Sequence, residues 1–495
     1  MTTLTTLSLY GNGIANIGGL ASLVNLKSLV LSTNQIGDIT PLKNLVNLEV
    51  LRLDHNQVAD ISVLSDMVNL TSLNLSTNKV SDIAPLKRLV HLETLWLDHN
   101  GVVDTSALSN MVDLKTLALS ENQVANIAGL AGLVNLETLN LSYNAVGDIS
   151  ALAGLTALTC LQLDYNQIVD ASSLAGLANL TWLSLSWNQV NDVSALAGLT
   201  NLETLELFHN QLADFSALSG LPNLRFLGVS SNPLTTIHLS NMPELEELYL
   251  TKTPLVTSIE LSGLPSLDQL TCDNSAIENV RLTECPNVEW IELVSNQIRD
   301  VNGLSGLDSL EWLDLSDNQI SDIHGLTGLT SLITINLSYN QISDVSSLSA
   351  MPALEKIYLS SNQIRELKLS GLSRLRWLIV GNNPIITVDL SGLSVLWSLS
   401  LSSGQIREVR LKDMRNLHSL DLSNNQITSL DLSGLRNLGV LQLANNRITD
   451  LTSLAQSGAL NPTSRIRGVE PPWRGRNRRF RPRVSTTSAP AFERV

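Results

Sequence analysis

The sequence predicts an α/β solenoid. It should be a curved horseshoe of about 21 stacked turns, with a parallel β-sheet on the concave face and 3₁₀, short helical or extended segments on the convex face. Three observations point there. Asparagine recurs every 22 residues, at Asn12, Asn34, Asn56, Asn78, Asn100, Asn122, Asn144, Asn166, Asn188, Asn210 and Asn232. The period continues with small slips to Asn446, broken only by Thr253, Ser275 and Gly404. Before each asparagine the chain reads L-x-x-L-x-L, and nearly every aromatic falls in a variable slot of the L-x-x-L-x-L-x-x-N segment.

The turn from Leu29 to Leu53 shows why each element forms. Leu29 and Leu31 alternate with period two, the signature of a short strand with one apolar face. After Asn34 the apolar positions Ile36, Ile39, Leu42, Leu45, Leu48 and Leu51 step by threes, which suits 3₁₀-like turns. One turn cannot bury its leucines alone; stacked copies share a continuous core. The asparagine ends the strand where backbone groups lose their ladder partners. Its amide can donate and accept, so the column should be a buried hydrogen-bonded ladder. Four residues on, Asp38, Asp60, Asp82, Asp104, Asp148, Asp170, Asp192, Asp214, Asp300, Asp322, Asp344 and Asp450 form an acidic column, each but Asp104 followed by an apolar residue and a helical turn. They are expected to accept from exposed N–H groups as N-caps do, and not to bind metal.

A second repeat type drops a residue and alternates on its outer segment, as in Leu367-Lys368-Leu369 and Leu430-Asp431-Leu432. These outer segments should be extended. The first block of such repeats, near 233–290, carries Pro233, Pro243, Pro254, Pro265 and Pro286. A change of curvature is expected there.

The solenoid is assigned to residues 1–456 and a disordered Arg/Pro-rich tail to 457–495. Net charge is −15, but the tail holds nine Arg and two Glu, leaving −22 on the solenoid. That acidity argues against nucleic acid as a partner of the solenoid; the tail, with Trp473 and Phe480 among its arginines, keeps a weak case for it. The apolar residues follow the repeat, and no run is long enough for a membrane span. Three cysteines (Cys160, Cys272, Cys285) give an odd count and no disulfide framework. The compartment is left open: cytoplasmic if Met1 is the true start, cell surface or secreted if the chain extends upstream.

No catalytic motif occurs, and no cofactor or metal site is expected. His55 and His99 share a column two repeats apart, about 10 Å, too far to hold one ion. The aromatics carry the functional signal. In the slot before asparagine, successive repeats give Tyr143, Tyr165, Trp187 and His209; Trp182, Phe208 and Phe226 extend this region. Tyr249 and the pair Trp290 and Trp312 complete the candidate binding set. Residues between the leucines should face the open concave side, and exposed aromatics mark interfaces.

With L-x-x-L-x-L-x-x-N over about residues 4–456, the chain resembles the 22-residue class of leucine-rich repeat proteins. That class includes internalin-like bacterial surface proteins and the leucine-rich regulatory subunit of type-one protein phosphatase. The resemblance implies the horseshoe fold and a general role in protein binding, without naming a partner. The expected function is a non-catalytic protein-interaction scaffold. The alternatives are a carbohydrate-binding or adhesin-type surface protein, and the targeting part of a larger enzyme or phosphatase-regulatory complex.

Overall fold

Each repeat contributes one three-residue strand, and successive strands pair parallel in register, for example Thr138↔Cys160, Leu139↔Leu161 and Asn140↔Gln162. The computed structural model describes residues 3–411 and 414–450. They fall in two units, Met1–Pro233 and Leu234–Val495. The tail at 457–495, read above as disordered, lies outside the described residues.

In the first unit the inner strands run from Thr6–Ser8 to Phe226–Gly228, and every return path that carries regular structure uses a 3₁₀ turn, such as Thr40–Leu42 or Ser194–Gly198. Pro41 and Pro85 sit in the first turn of such segments, where a missing N–H costs nothing. The second unit begins where the return path changes. Ile237–Ser240, Ser258–Ser262 and Asn279–Thr283 form an outer parallel sheet, and Glu366–Lys368 pairs with Thr387–Asp389 in another. Alternation in the sequence is therefore realised as outer strands in these repeats, but not at Leu430-Asp431-Leu432, which carries no regular structure; the stepped-by-three repeats give 3₁₀ turns. Among the described residues the inner strands total 21. No helix there is long and apolar enough to cross a membrane.

The core is a leucine stack. Leu29, Leu31, Ile36, Ile39, Leu42, Leu45, Leu48, Leu51 and Leu53 are all buried to 1% exposure or less. Each such side chain contributes about 1.5–3 kcal/mol by leaving water. The asparagine column binds as the chemistry requires. Asn34 Nδ2 donates to Leu31 O in its own turn and to Leu9 O in the preceding one, both at 3.0 Å, while Ile14 N–H donates to Asn34 Oδ1 at 3.0 Å. Leu31 O in turn accepts from Asn56 at 2.9 Å, so each carbonyl is shared by two rungs. Where Gly404 breaks the column, Ile385 N–H turns back to Asn383 O at 2.8 Å.

Two local expectations need correction. The aspartates do not occupy the N-cap position. Asp38 lies one residue before the cap residue Ile39 and accepts from Thr40 N–H at 2.8 Å, an Asx-type turn; Asp60, Asp104 and Asp170 do the same. These bonds hold the aspartate carboxyls below the ordinary carboxylate range. Second, the slot before asparagine is not part of the strand. It is a turn residue in the left-handed region, with φ of +57° at Thr33, +54° at Thr77 and +57° at Trp187.

L-residues reach that region at a cost of roughly 1–2 kcal/mol, least for asparagine and glycine. The chain places asparagine there at Asn274, Asn382, Asn424 and Asn445. Thr77→Asn is therefore expected to stabilise the first unit by about 0.5–1 kcal/mol, read as a rise in urea midpoint. An unchanged or lower midpoint would contradict the assigned backbone.

Candidate aromatic and acidic face

The turn after each strand sets one side chain per repeat in the left-handed position, and the 22-residue period stacks those side chains directly. At four consecutive positions the residues are Tyr143, Tyr165, Trp187 and His209, with φ of +57°, +53°, +57° and +53°. Their rings form one continuous stack. Centroids lie 4.2 Å apart at 12° for Tyr143–Tyr165, 5.0 Å at 10° for Tyr165–Trp187, and 3.6 Å at 17° for Trp187–His209. Stacking is worth about 0.5–1.5 kcal/mol per pair and offsets the backbone cost in part. The rings stay open to solvent: Tyr143 is 49% exposed, Tyr165 38% and Trp187 44%.

The stack thus stands along the rim of the sheet, on the turns, rather than on the pleated face itself. On the face beside it are Trp182 and Phe226, each at the head of a strand, and Phe208. Phe208 and Phe226 meet edge to face at 6.4 Å. Gly228 makes room for them, since a Cβ there would come 2.1 Å from Phe208 Cζ. Neighbours in the Trp182 column are covered: Thr138 is 6% exposed and Cys160 1%.

Between the rim and that column lies a polar strip. Asp164 accepts from Ser186 N–H at 2.8 Å and from Ser184 Oγ, and Ser184 Oγ lies 3.3 Å from Glu206 Oε2. Burial raises the Asp164 carboxyl, and burial beside Asp164 pushes Glu206 up to about 7. Ser184 has one hydroxyl proton, and Asp164 takes it. When Glu206 is protonated it donates to Ser184 Oγ, completing a relay from Glu206 through Ser184 to Asp164. Neither carboxyl has a cationic partner among the described residues. Ser186 Oγ, in a residue 6% exposed, and Trp182 Nε1 have no hydrogen-bond partner there.

The second unit carries its own set. Trp290 and Trp312 stack face to face at 4.3 Å and 2°. Next to them Glu292 is pushed up to about 7 by burial and by Asp273 and Asp314, and burial pushes Asp273 up to about 6. The Tyr249 hydroxyl donates to Glu247 Oε2 at 2.9 Å, and burial raises its phenol.

Two features escaped the sequence reading. The carboxyl pair joins different slots two repeats apart, so no column displays it. Trp377, Trp397 and His418 also line a shallow depression of about 670 Å³ with Arg376, Asn416 and Asn437, and Trp397 stacks on His418 at 5.0 Å. Its signal was a row reading Arg376, Trp397, His418 in the slot after the first leucine.

The three cysteines are buried free thiols, with Cys160 and Cys272 pushed up to about 12 by burial. No group of three His, Cys, Asp or Glu suited to a metal ion occurs among the described residues.

The sequence matches the family profile described as Leucine Rich repeats (2 copies) at residues 2–44, 46–88, 134–176, 178–220, 330–374 and 415–456, and the single Leucine Rich Repeat profile at 309–329. Similar solved structures include the Arabidopsis receptor kinase HAESA in complex with the peptide hormone IDA and the co-receptor SERK1. It is 25% identical, with 91% of this chain and 83% of that chain covered and a TM-score of 0.63. An internalin of Listeria monocytogenes is 27% identical over 85% of this chain and 88% of its own, with a TM-score of 0.35. A plant peptide hormone receptor, RGFR1 in complex with RGF2, is 19% identical over 93% and 89%, with a TM-score of 0.63. No curated protein matches the chain.

Proposed function

The chain belongs to the leucine-rich repeat family, and from that premise we propose that it is a non-catalytic scaffold capturing a polypeptide partner on the aromatic face of its first unit. The observation that carries this reading is the stack Tyr143, Tyr165, Trp187 and His209. Its rings are held in a backbone conformation that bulky residues avoid, yet three of them remain 38–49% exposed. Asparagine or glycine would fit those turns with less strain, and a scaffold alone has no need of indole or phenol there. Exposed, rigid Trp and Tyr supply most of the hot-spot energy in protein interfaces. Phe208, Phe226 and Trp182 give the same surface an apolar floor beside the rim. The receptor HAESA, similar in fold and 25% identical, was solved with a peptide hormone bound, which supports a peptide or protein ligand here. The carbohydrate and enzyme-targeting alternatives draw on the same rings without a feature of their own.

The test is quantitative capture. A partner isolated on the wild-type protein should lose at least 100-fold in affinity for the triple variant Tyr165→Ala, Trp187→Ala, Phe208→Ala, since each hot-spot aromatic is worth about 2 kcal/mol or more. The far-ultraviolet dichroism should be unchanged. Equal affinity from a folded variant would place the partner elsewhere.

A further inference from the structure

We propose that the polar strip between the aromatic rim and Trp182 is an arginine-receiving site, in which a guanidinium of the partner lies beside the ring stack and bonds to Asp164 and Glu206. This rests on the preceding reading of the same face and adds the chemistry of the ligand.

The charge pattern is one-sided. From the repeat of Asn122 to that of Asn232, the slots from strand head to asparagine hold Glu121, Asp164 and Glu206 but no lysine or arginine. Elsewhere on this unit carboxylates do find cations: Lys27 pairs with Glu49 at 2.7 Å and Lys115 with Glu93 at 2.7 Å. Asp164 and Glu206 are the ones drawn under cover and left without such a partner. Sinking two carboxyls into one shallow strip raises both, a cost that an incoming cation removes.

A second, independent observation lies in the same strip. Ser186 Oγ is buried and unpartnered, in the column that runs Ser142, Asp164, Ser186, Phe208. A hydroxyl there can accept from an N–H that also reaches Asp164. Arginine suits this setting better than lysine. Its fork of donors can serve Asp164, Glu206 and the hydroxyl together, and its weakly hydrated plane can pack against the edges of the Tyr165 and Trp187 rings, whose faces are taken by their neighbours in the stack. Lysine offers a compact, strongly hydrated charge that cannot span the three acceptors.

Fluorescein-labelled octa-arginine, octa-lysine and octa-citrulline peptides, titrated by anisotropy at low salt, test the assignment. Octa-arginine should bind at least tenfold tighter than octa-lysine, and octa-citrulline should show no saturable binding. The variant Asp164→Asn with Glu206→Gln should lose at least tenfold toward octa-arginine. At pH 8.5, where Glu206 is ionised, a control with the same change in net charge, Glu49→Gln with Glu93→Gln, should lose less than twofold. Equal losses in the two variants would mean general attraction to an acidic protein and would overturn the site. Equal binding of the arginine and lysine peptides would overturn the guanidinium, and binding of the citrulline peptide would overturn the cation. In each of these failures the aromatic triple variant still reports separately on the scaffold reading.

Discussion

Asn188→Ala should cut hydrogen-exchange protection of the Ile168 amide about 100-fold and lower the melting temperature of the first unit. Asn188 is 7% exposed. Its Nδ2 donates to Leu163 O at 2.9 Å and Leu185 O at 3.0 Å, and its Oδ1 accepts from Ile168 N–H at 3.0 Å. The two carbonyls survive the change, because Asn166 also reaches Leu163 O and Asn210 also reaches Leu185 O. The amide does not: no other acceptor of Ile168 N–H is present among the described hydrogen bonds. A buried, orphaned N–H costs about 1–3 kcal/mol, and the lost amide leaves a small void besides. A total near 3 kcal/mol corresponds to the 100-fold loss, since each ~1.4 kcal/mol is a factor of ten. Local exchange is the right readout, because repeat arrays open in segments rather than all at once. Protection unchanged at Ile168 would refute the ladder as drawn.

The second large effect is a pH dependence of stability with an unusual sign. Glu206 is pushed up to about 7 in the folded chain, from an ordinary 4.5. Between those values the folded state holds a proton that the unfolded state has released. Stability therefore falls as pH rises from about 4.5 to 7 and is flat above. The upper bound is about 3 kcal/mol, reduced by whatever water reaches the strip. Glu292 behaves alike in the second unit, and Asp273, pushed up to about 6, adds to it. The Asx-turn aspartates have lowered carboxyls and lose their contribution only in more acidic solution, so they leave this window clear. Glu206→Gln keeps a donor for Ser184 without the charge. It should raise the melting temperature of the first unit at pH 7.5 by several degrees and leave it nearly unchanged at pH 4.5. A wild-type melting temperature that climbs from pH 5 to 7, or a Gln variant that gains nothing at pH 7.5, would refute the buried pair.

The fold was legible because it is periodic. Asn12 to Asn232, the leucine alternation and the threefold steps each name a local structure, and stacking leaves little else to decide. The extended outer segments at Leu367 and Ile259 were legible for the same reason. The site was legible only in part. Tyr143, Tyr165, Trp187 and His209 share a slot, so their contact follows from the period. Their left-handed backbone did not follow, because residue type at that slot ranges from Gly11 to Trp187 and gives no hint of φ. Asp164 and Glu206 occupy different slots 42 residues apart, and only the sideways reach of Ser184 joins them. Their raised carboxyls depend on neighbouring repeats covering them, which a motif does not encode.

The sharing of each turn carbonyl by two successive asparagines bears on how such an array drifts. A single missing rung leaves every carbonyl with one donor, so isolated replacements are survivable, as at Gly404. Two adjacent losses would strip a carbonyl bare. The chain has one such adjacent pair, Thr253 and Ser275, and both are hydroxyl residues. Thr253 Oγ1 donates to Leu250 O at 3.1 Å, and Ser275 Oγ accepts from Thr253 N–H at 3.0 Å. Substitution is thereby steered: a lone gap spares the carbonyls and is tolerated where its amide re-pairs, as Ile385 N–H does beside Gly404, while neighbouring gaps admit only side chains that can still bond.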